Sequence, residues 1–312
     1  MSSTQAKFSP LFSRKSPGGP FTVAGIDAFP GDVWFVDSAA TAAGITTSHG
    51  YTPEMPFATL SYAMSCDLVG SGDVVVVMPS HAETVSGAGT ITMDIAGVKV
   101  IGLAWGGLRP TFTFSAAAAT WLITAASCYV ENVLCTVSGV TDVAAGITVT
   151  AADVTLKGIE AREGGATAQF VDFIVLGAGS ARSKIVDFKF NGAAGDASVQ
   201  AISVTSAVAD VRIENAWIYG THTGGSIVTS AANTNMLING AYMYNLSAAQ
   251  DGGIVLNAGT TGLIINTYTF GASHDANGFN LSTVAAGAAV FNAQVVNLAG
   301  ERGGYWGTAS TA

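Results

Sequence analysis

Charge is scarce in this chain. Asp, Glu, Lys and Arg make up 11% of its 312 residues, against roughly a quarter in an average globular protein. With 49% apolar residues and a mean hydropathy of +0.44, the shortage of charge excludes intrinsic disorder. Long apolar runs are missing too. The longest aliphatic stretch is Val74 to Met78, far short of the ~20 residues that cross a bilayer as a helix. The first twenty residues hold no apolar stretch of the kind a secretory signal needs. Positive charge is in deficit: 12 basic against 21 acidic residues give a net charge of −9 and a pI near 4.7. That balance argues against nucleic acid and acidic membrane surfaces as partners. Cysteine is rare, and Cys66, Cys128 and Cys135 form neither a CxxC motif nor an even framework. They read as small buried apolar residues. Proline is absent after Pro110, so nothing in the last two-thirds of the chain forbids continuous strand ladders.

What is there is a repeat. Aliphatic, any residue, then Gly, Asn or Asp, then a further inward residue recurs at Val100-Ile101-Gly102-Leu103, Val130-Glu131-Asn132-Val133, Leu156-Lys157-Gly158-Ile159 and Ile185-Val186-Asp187-Phe188. It continues at Ile213-Glu214-Asn215-Ala216, Ile238-Asn239-Gly240-Ala241, Ile264-Ile265-Asn266-Thr267 and Val290-Phe291-Asn292-Ala293. The intervals are 30, 26, 29, 28, 25, 26 and 26 residues, a period that marks a solenoid. Gly, Asn and Asp tolerate a left-handed backbone. One such residue between two short strands bends the chain without a loop, and stacked bends place Asn132, Asn215, Asn266 and Asn292 in a side-chain ladder. About ten residues ahead of each bend lies another strand: Ile147–Thr150, Phe173–Leu176, Ile202–Thr205, Ile227–Ser230, Ile254–Asn257 and Phe279–Ser282.

With these repeats the chain resembles the right-handed parallel β-helix superfamily, the pectate-lyase-like fold. Its opening adds to the resemblance: Gly31-Asp32-Val33-Trp34-Phe35-Val36-Asp37, the segment Pro56 to Met64, and Gly72 to Pro79 look like that family's first strand, capping helix and first coil. The resemblance implies an all-β, single-stranded helix of about nine coils, roughly 40 Å long at ~4.8 Å per coil. The expected divisions are an extended arm at 1–30, a cap with the first coils at 31–110, the helix proper at 111–298 and a tail or cap at 299–312.

In this family the strand ahead of the short turn usually lines the catalytic groove. Its outward positions are expected at Thr148, Ile174, Ser203, Val228, Val255 and Asn280, none of them an acid, a base or a metal ligand. Lyases of the fold need a carboxylate cluster for calcium and a basic residue, and hydrolases need paired carboxylates. We therefore expect no enzyme and no cofactor. Asp153 and Asp210 fall in the short turns, where backbone hydrogen bonding explains them. Lys157, Arg212, Glu214, Glu160 and Arg162 read as a solvated charged face. His222 and His274 lie in long loops two coils apart and make a weak catalytic pair; His49 and His81 carry no motif.

One surface feature stands out. The positions after the bend point outward at Trp217, Tyr219, Tyr242, Tyr244, Tyr268 and Phe270, two rings on each of three successive coils. Six adjacent rings exceed what a soluble monomer normally exposes. A subunit interface is the favoured reading, with cover by the long loops and a platform for stacking sugar rings as the alternatives. In the arm, Phe8, Leu11, Phe12 and Phe21 alternate with Ser, Pro and Gly, and Lys7, Arg14 and Lys15 carry its charge. Such a segment builds no core of its own and is expected to dock on a neighbouring subunit. Glu301 to Trp306 leaves the repeat to cap the last coil or reach a partner. Composition resembles structural proteins of tailed phages. The expectation is a non-enzymatic virion component, a capsid decoration or cement protein or next a tail or spike part. It would be a homotrimer bound to a major capsid or other virion protein. The alternatives are a polysaccharide depolymerase and a host-glycan-binding adhesin.

Overall fold

The computed structural model of the chain describes residues 31–165, 168–192, 198–247, 253–271, 288–297 and 302–305. The arm residues Lys7, Phe8, Leu11, Phe12, Arg14, Lys15 and Phe21 lie outside these, as do His274, Phe279, Asn280 and Trp306.

Three parallel sheets run the length of the described chain. We call them the first, middle and third, in the order one coil crosses them after its long loop. The middle and third sheets have ten strands and the first has seven. Successive coils pair in parallel, as in Leu156↔Ile185 and Ile185↔Ile213 of the middle sheet. The result is the single-stranded parallel β-helix expected from the repeat. Seven coils are complete on all three sides, fewer than the nine expected. The first coils lack a first-sheet strand, and residues 272–287 lie outside the description.

The leading aliphatic residue of each repeat builds the core. Val75, Val100, Val130, Leu156, Ile185, Ile213, Ile238, Ile264 and Val290 occupy one column of the middle sheet, and every one of them is buried. Each contributes on the order of 1.5–3 kcal/mol by leaving water. Because the next coil presents the same residue type at the same depth, the column packs on itself.

The bends follow the prediction with one exception. Asn132, Gly158, Asp187, Asn215, Gly240, Asn266 and Asn292 all have positive φ, between 49° and 68°. Gly102 does not; the left-handed residue there is Ala104 at 69°. Gly102 is required by contact instead, since a Cβ on it would sit 2.2 Å from the carbonyl oxygen of Asn132. A second left-handed column, which the sequence reading did not identify as such, stands at Ser127, Asp153, Arg182, Asp210 and Asn235. Each lies five residues ahead of a bend. In both columns the backbone amide turns toward the following coil, as in Asp153 N to Ala181 O at 2.9 Å and Asn215 N to Asn239 O at 2.9 Å. The Asn ladder is partial: Asn292 donates to Asn266 at 2.8 Å and Asn266 to Asn239 at 3.3 Å, while Asn132 bonds Gly102 O and Ala104 O. Gly158 and Gly240 interrupt the run of side chains.

The helix α1 (Leu60–Ser65) caps the open end, burying Leu60, Ala63 and Met64. Thr59 accepts from Tyr62 N at 3.1 Å. Buried Glu83 accepts from Leu60 N at 2.6 Å and Ser61 N at 3.0 Å, and meets His81 Nε2 at 3.2 Å. His81 and Glu83 thus tie the cap to the first coil, a role no motif announced. The strand Arg302–Tyr305 pairs antiparallel with Ala293–Asn297 at the end of the third sheet.

Candidate functional site

The outer face of the third sheet carries the aromatic residues. Inward positions Phe190, Ile218, Met243 and Thr269 are buried, so alternation turns their neighbours out. Lys189, Trp217, Tyr242 and Tyr268 form one outward column, and Asn191, Tyr219, Tyr244 and Phe270 the next. All six rings therefore point where the sequence placed them.

Their packing differs from an open platform. Tyr242 and Tyr268 stack with centroids 4.8 Å apart and planes 6° from parallel; Tyr244 and Phe270 stack at 4.2 Å and 10°. Tyr219 leans on Tyr244 at 5.4 Å, and Trp217 stacks beside Tyr219 at 6.1 Å. Strand spacing in a sheet is itself ~4.8 Å, so in-register rings such as Tyr242 with Tyr268 and Tyr244 with Phe270 cover one another's faces. Only Trp217 and Tyr242 rank as exposed, at 37% and 41%. The apolar area on offer is smaller than six separate rings would give.

A charged cluster closes the N-terminal side of this ladder. Lys189 Nζ stands 5.4 Å from the Trp217 ring centroid, a cation–π contact. One coil earlier, Glu160 receives Arg162 Nε at 2.6 Å, Arg109 Nη1 at 2.8 Å and Lys189 Nζ at 3.6 Å. Its side chain is 8% exposed, so the solvated face expected at this position is corrected: Arg109 folds over the carboxylate and covers it. Arg109 also reaches Asn132 Oδ1 at 2.9 Å and Gly158 O at 2.5 Å. Burial alone would raise the Glu160 pKa; Arg162, with Lys189 and Arg109, outweighs it and holds the carboxyl below its usual value.

The outer face of the first sheet is the place where the resemblance puts a groove. Thr148, Val175, Ser203, Val228 and Val255 share one outward column. Ile174 is corrected: it pairs with inward Ile147 and Ile202 and is fully buried. The strands Asp142–Val149, Gln169–Leu176 and Gln200–Val204 each set two successive residues inward, Gly146 with Ile147, Phe173 with Ile174 and Ala201 with Ile202. Ala201 N and Ile202 N share the carbonyl of Ser226, the pattern of a bulge, and parity counted through it fails.

The bulge brings a carboxylate to this face that the sequence reading missed. Asp172 pairs in register with Ala145 and Gln200. Burial raises its pKa to about 6, against a lowering hydrogen bond with Ser203. Its Oδ1 and the Oε1 of Gln200 are both buried without a partner among the described residues. His222 is fully buried, with Nδ1 2.9 Å from Ser198 Oγ and its backbone held by Asn245. Desolvation lowers its pKa to about 3, so it is neutral at ordinary pH. Cys66, Cys128 and Cys135 are free and buried. Among the described residues no three His, Cys, Asp or Glu side chains are grouped as a metal site requires.

No known family's sequence profile matches the chain, and no curated protein matches it in sequence. Solved structures do match in shape. The crystal structure of pectate lyase Pel9A aligns with a TM-score of 0.61 at 15% identity, covering 88% of this chain and 71% of that one. A rhamnogalacturonan lyase aligns over 86% of this chain and 67% of its own at 12% identity, with a TM-score of 0.41. Identity this low carries the architecture and no chemistry, and on that ground the chain is a parallel β-helix, the fold it shares with that lyase.

Proposed function

We propose that this β-helix binds a polysaccharide along the outer face of its third sheet. The observation that carries the reading is the ladder of Trp217, Tyr219, Tyr242, Tyr244, Tyr268 and Phe270 on three adjacent coils. Ring edges and the phenol groups of four tyrosines offer apolar and hydrogen-bonding surface at a regular spacing. Sugars present both kinds of surface. The ligand class is the one named in the pectate lyase that shares the fold. The proposal concerns binding, with cleavage to be measured alongside. Titration calorimetry against soluble neutral and acidic polysaccharides is the test. Tyr242→Ala with Tyr268→Ala should weaken binding at least ten-fold. A wild-type protein that binds none of them overturns the reading. Reducing ends and the absorbance of unsaturated products in the same samples detect turnover.

A second reading makes the ladder a subunit contact in a particle, as a virion structural protein would use it. It is favoured by charge: the strands Trp217–Gly220, Tyr242–Asn245 and Tyr268–Gly271 carry no Asp, Glu, Lys or Arg, so this part of the surface can be buried at little desolvation cost. Light scattering separates the two. A trimer that Trp217→Asp with Tyr242→Asp converts to monomer supports the contact; a wild-type monomer at high concentration excludes it.

A further inference from the structure

The N-terminal end of the middle sheet is apolar on its outer side as well as its inner side. Val75 and Val77 point into the core, and Val74 and Val76 alternate with them and point out, yet all four are 0% exposed. Val74 and Val76 belong to a separate apolar cluster whose other members include Val33, Phe35, Ile101 and Leu103. These come from the two flanking strands Val33–Val36 and Lys99–Gly102, with Leu103 just beyond. Neighbours in the same sheet lie beside an outward valine and leave its tip open to water. The apolar character ends there: the Val74 column already turns charged on the third strand, at Lys99, and goes on to Tyr129, while the Val76 column keeps Ile101 and then meets Glu131 and Lys157.

We infer that this outer patch is the docking surface for residues 1–30 of the same chain. Complete burial of Val74 and Val76 requires something above the sheet, and the apolar side chains packed on them among the described residues belong to the sheet strands or lie directly after them. The described chain begins at Gly31, two residues before Val33, which is itself at the edge of the patch. Thirty preceding residues, at up to ~3.3 Å each, reach any point of a patch three strands wide. That segment supplies Phe8, Leu11, Phe12 and Phe21, spaced by Ser, Pro and Gly. The arm then belongs to its own subunit, in place of the neighbouring subunit suggested by composition.

Trypsin reads this directly, because Lys7, Arg14 and Lys15 are the only basic residues before Lys99. In the full chain the Arg14 and Lys15 sites should be cut at least ten-fold more slowly than in a free peptide of residues 1–30. Val74→Thr with Val76→Thr, near in volume, should bring the rate toward that of the peptide. Phe8→Ser with Phe12→Ser and Phe21→Ser, which leaves the folded body untouched, should do the same and raise binding of a hydrophobic dye. Wild-type cleavage at the peptide's rate overturns the inference. So does a wild-type dimer that the arm substitutions dissociate, since the arm would then lie on a second copy.

Discussion

Arg109 and Glu160 are 51 residues apart in sequence, and their side chains meet at 2.8 Å. The contact spans two coils and gathers the carbonyl of Gly158 and the amide oxygen of Asn132 on the same guanidinium. It is the kind of buried pair whose partners depend on each other: removing one leaves the other uncompensated in a poor solvent for charge.

Glu160→Ala should therefore cost about 2–4 kcal/mol, read as a lower midpoint in urea. Glu160 has a folded pKa below its unfolded one. Its contribution is complete above the unfolded carboxyl value near 4.3 and is lost as pH falls through the lower folded value. Wild-type stability should fall on that acid side, and Glu160→Gln should flatten the fall. Equal acid slopes in the two proteins would contradict the assignment.

Asp172 has the opposite sign. Burial raises its folded pKa to about 6, so the folded protein holds a proton that the unfolded chain has released. Stability should decline between pH 4 and 6 and stay level above that. Asp172→Asn should remove the decline and stabilise the protein at pH 7.5 by on the order of 1–2 kcal/mol. Thermal melts at three pH values suffice to check it.

Two glycines should respond differently to substitution. At Gly158, φ is +59° and an added Cβ meets nothing closer than 3.8 Å. Gly158→Asn should be almost neutral and Gly158→Val should cost about 1–3 kcal/mol through backbone strain. At Gly102 even Ala collides with backbone, the carbonyl of Asn132, and should cost more than Gly158→Val. Denaturant midpoints of the three variants give the order.

The stacked rings are testable by a double-mutant cycle. Tyr244 and Phe270, at 4.2 Å and 10°, should show a coupling of about 0.5–1.5 kcal/mol. A coupling near zero would mean that the rings are neighbours without mutual stabilisation.

Much of this fold was legible because the repeat is a statement about burial. Ile185 and Ile213 share an environment, so they share a residue type, and the bends at Asn132 or Asn215 need a backbone few residues tolerate. Where the requirement was steric contact instead of torsion, as at Gly102, the same letter misled. Ile174 was placed outward because alternation has no memory of a bulge, which shifts parity without leaving a mark in composition. Glu160 looked solvated because the residue that covers it, Arg109, is brought there only by stacking of coils. The second left-handed column escaped because Ser127 and Arg182 are not residues chosen for that torsion; their neighbours in the stack hold them in it. Only Asp153, Asp210 and Asn235 hinted at it, and the aspartates were read simply as turn formers.

The two left-handed columns also constrain how such a chain can change length. Ser127 to Asn132, Asp153 to Gly158, Arg182 to Asp187, Asp210 to Asn215 and Asn235 to Gly240 all count five residues, while whole coils vary from 25 to 30. Within that five-residue frame a single insertion would reverse the facing of every side chain up to the next bend. Differences in length between coils fall outside that frame, in the corner after the third sheet and in the turn ahead of the second column, where Ile147 to Asp153 counts six residues and Ile174 to Arg182 eight. Insertion of an entire coil, by contrast, would leave the phase of all three sheets intact.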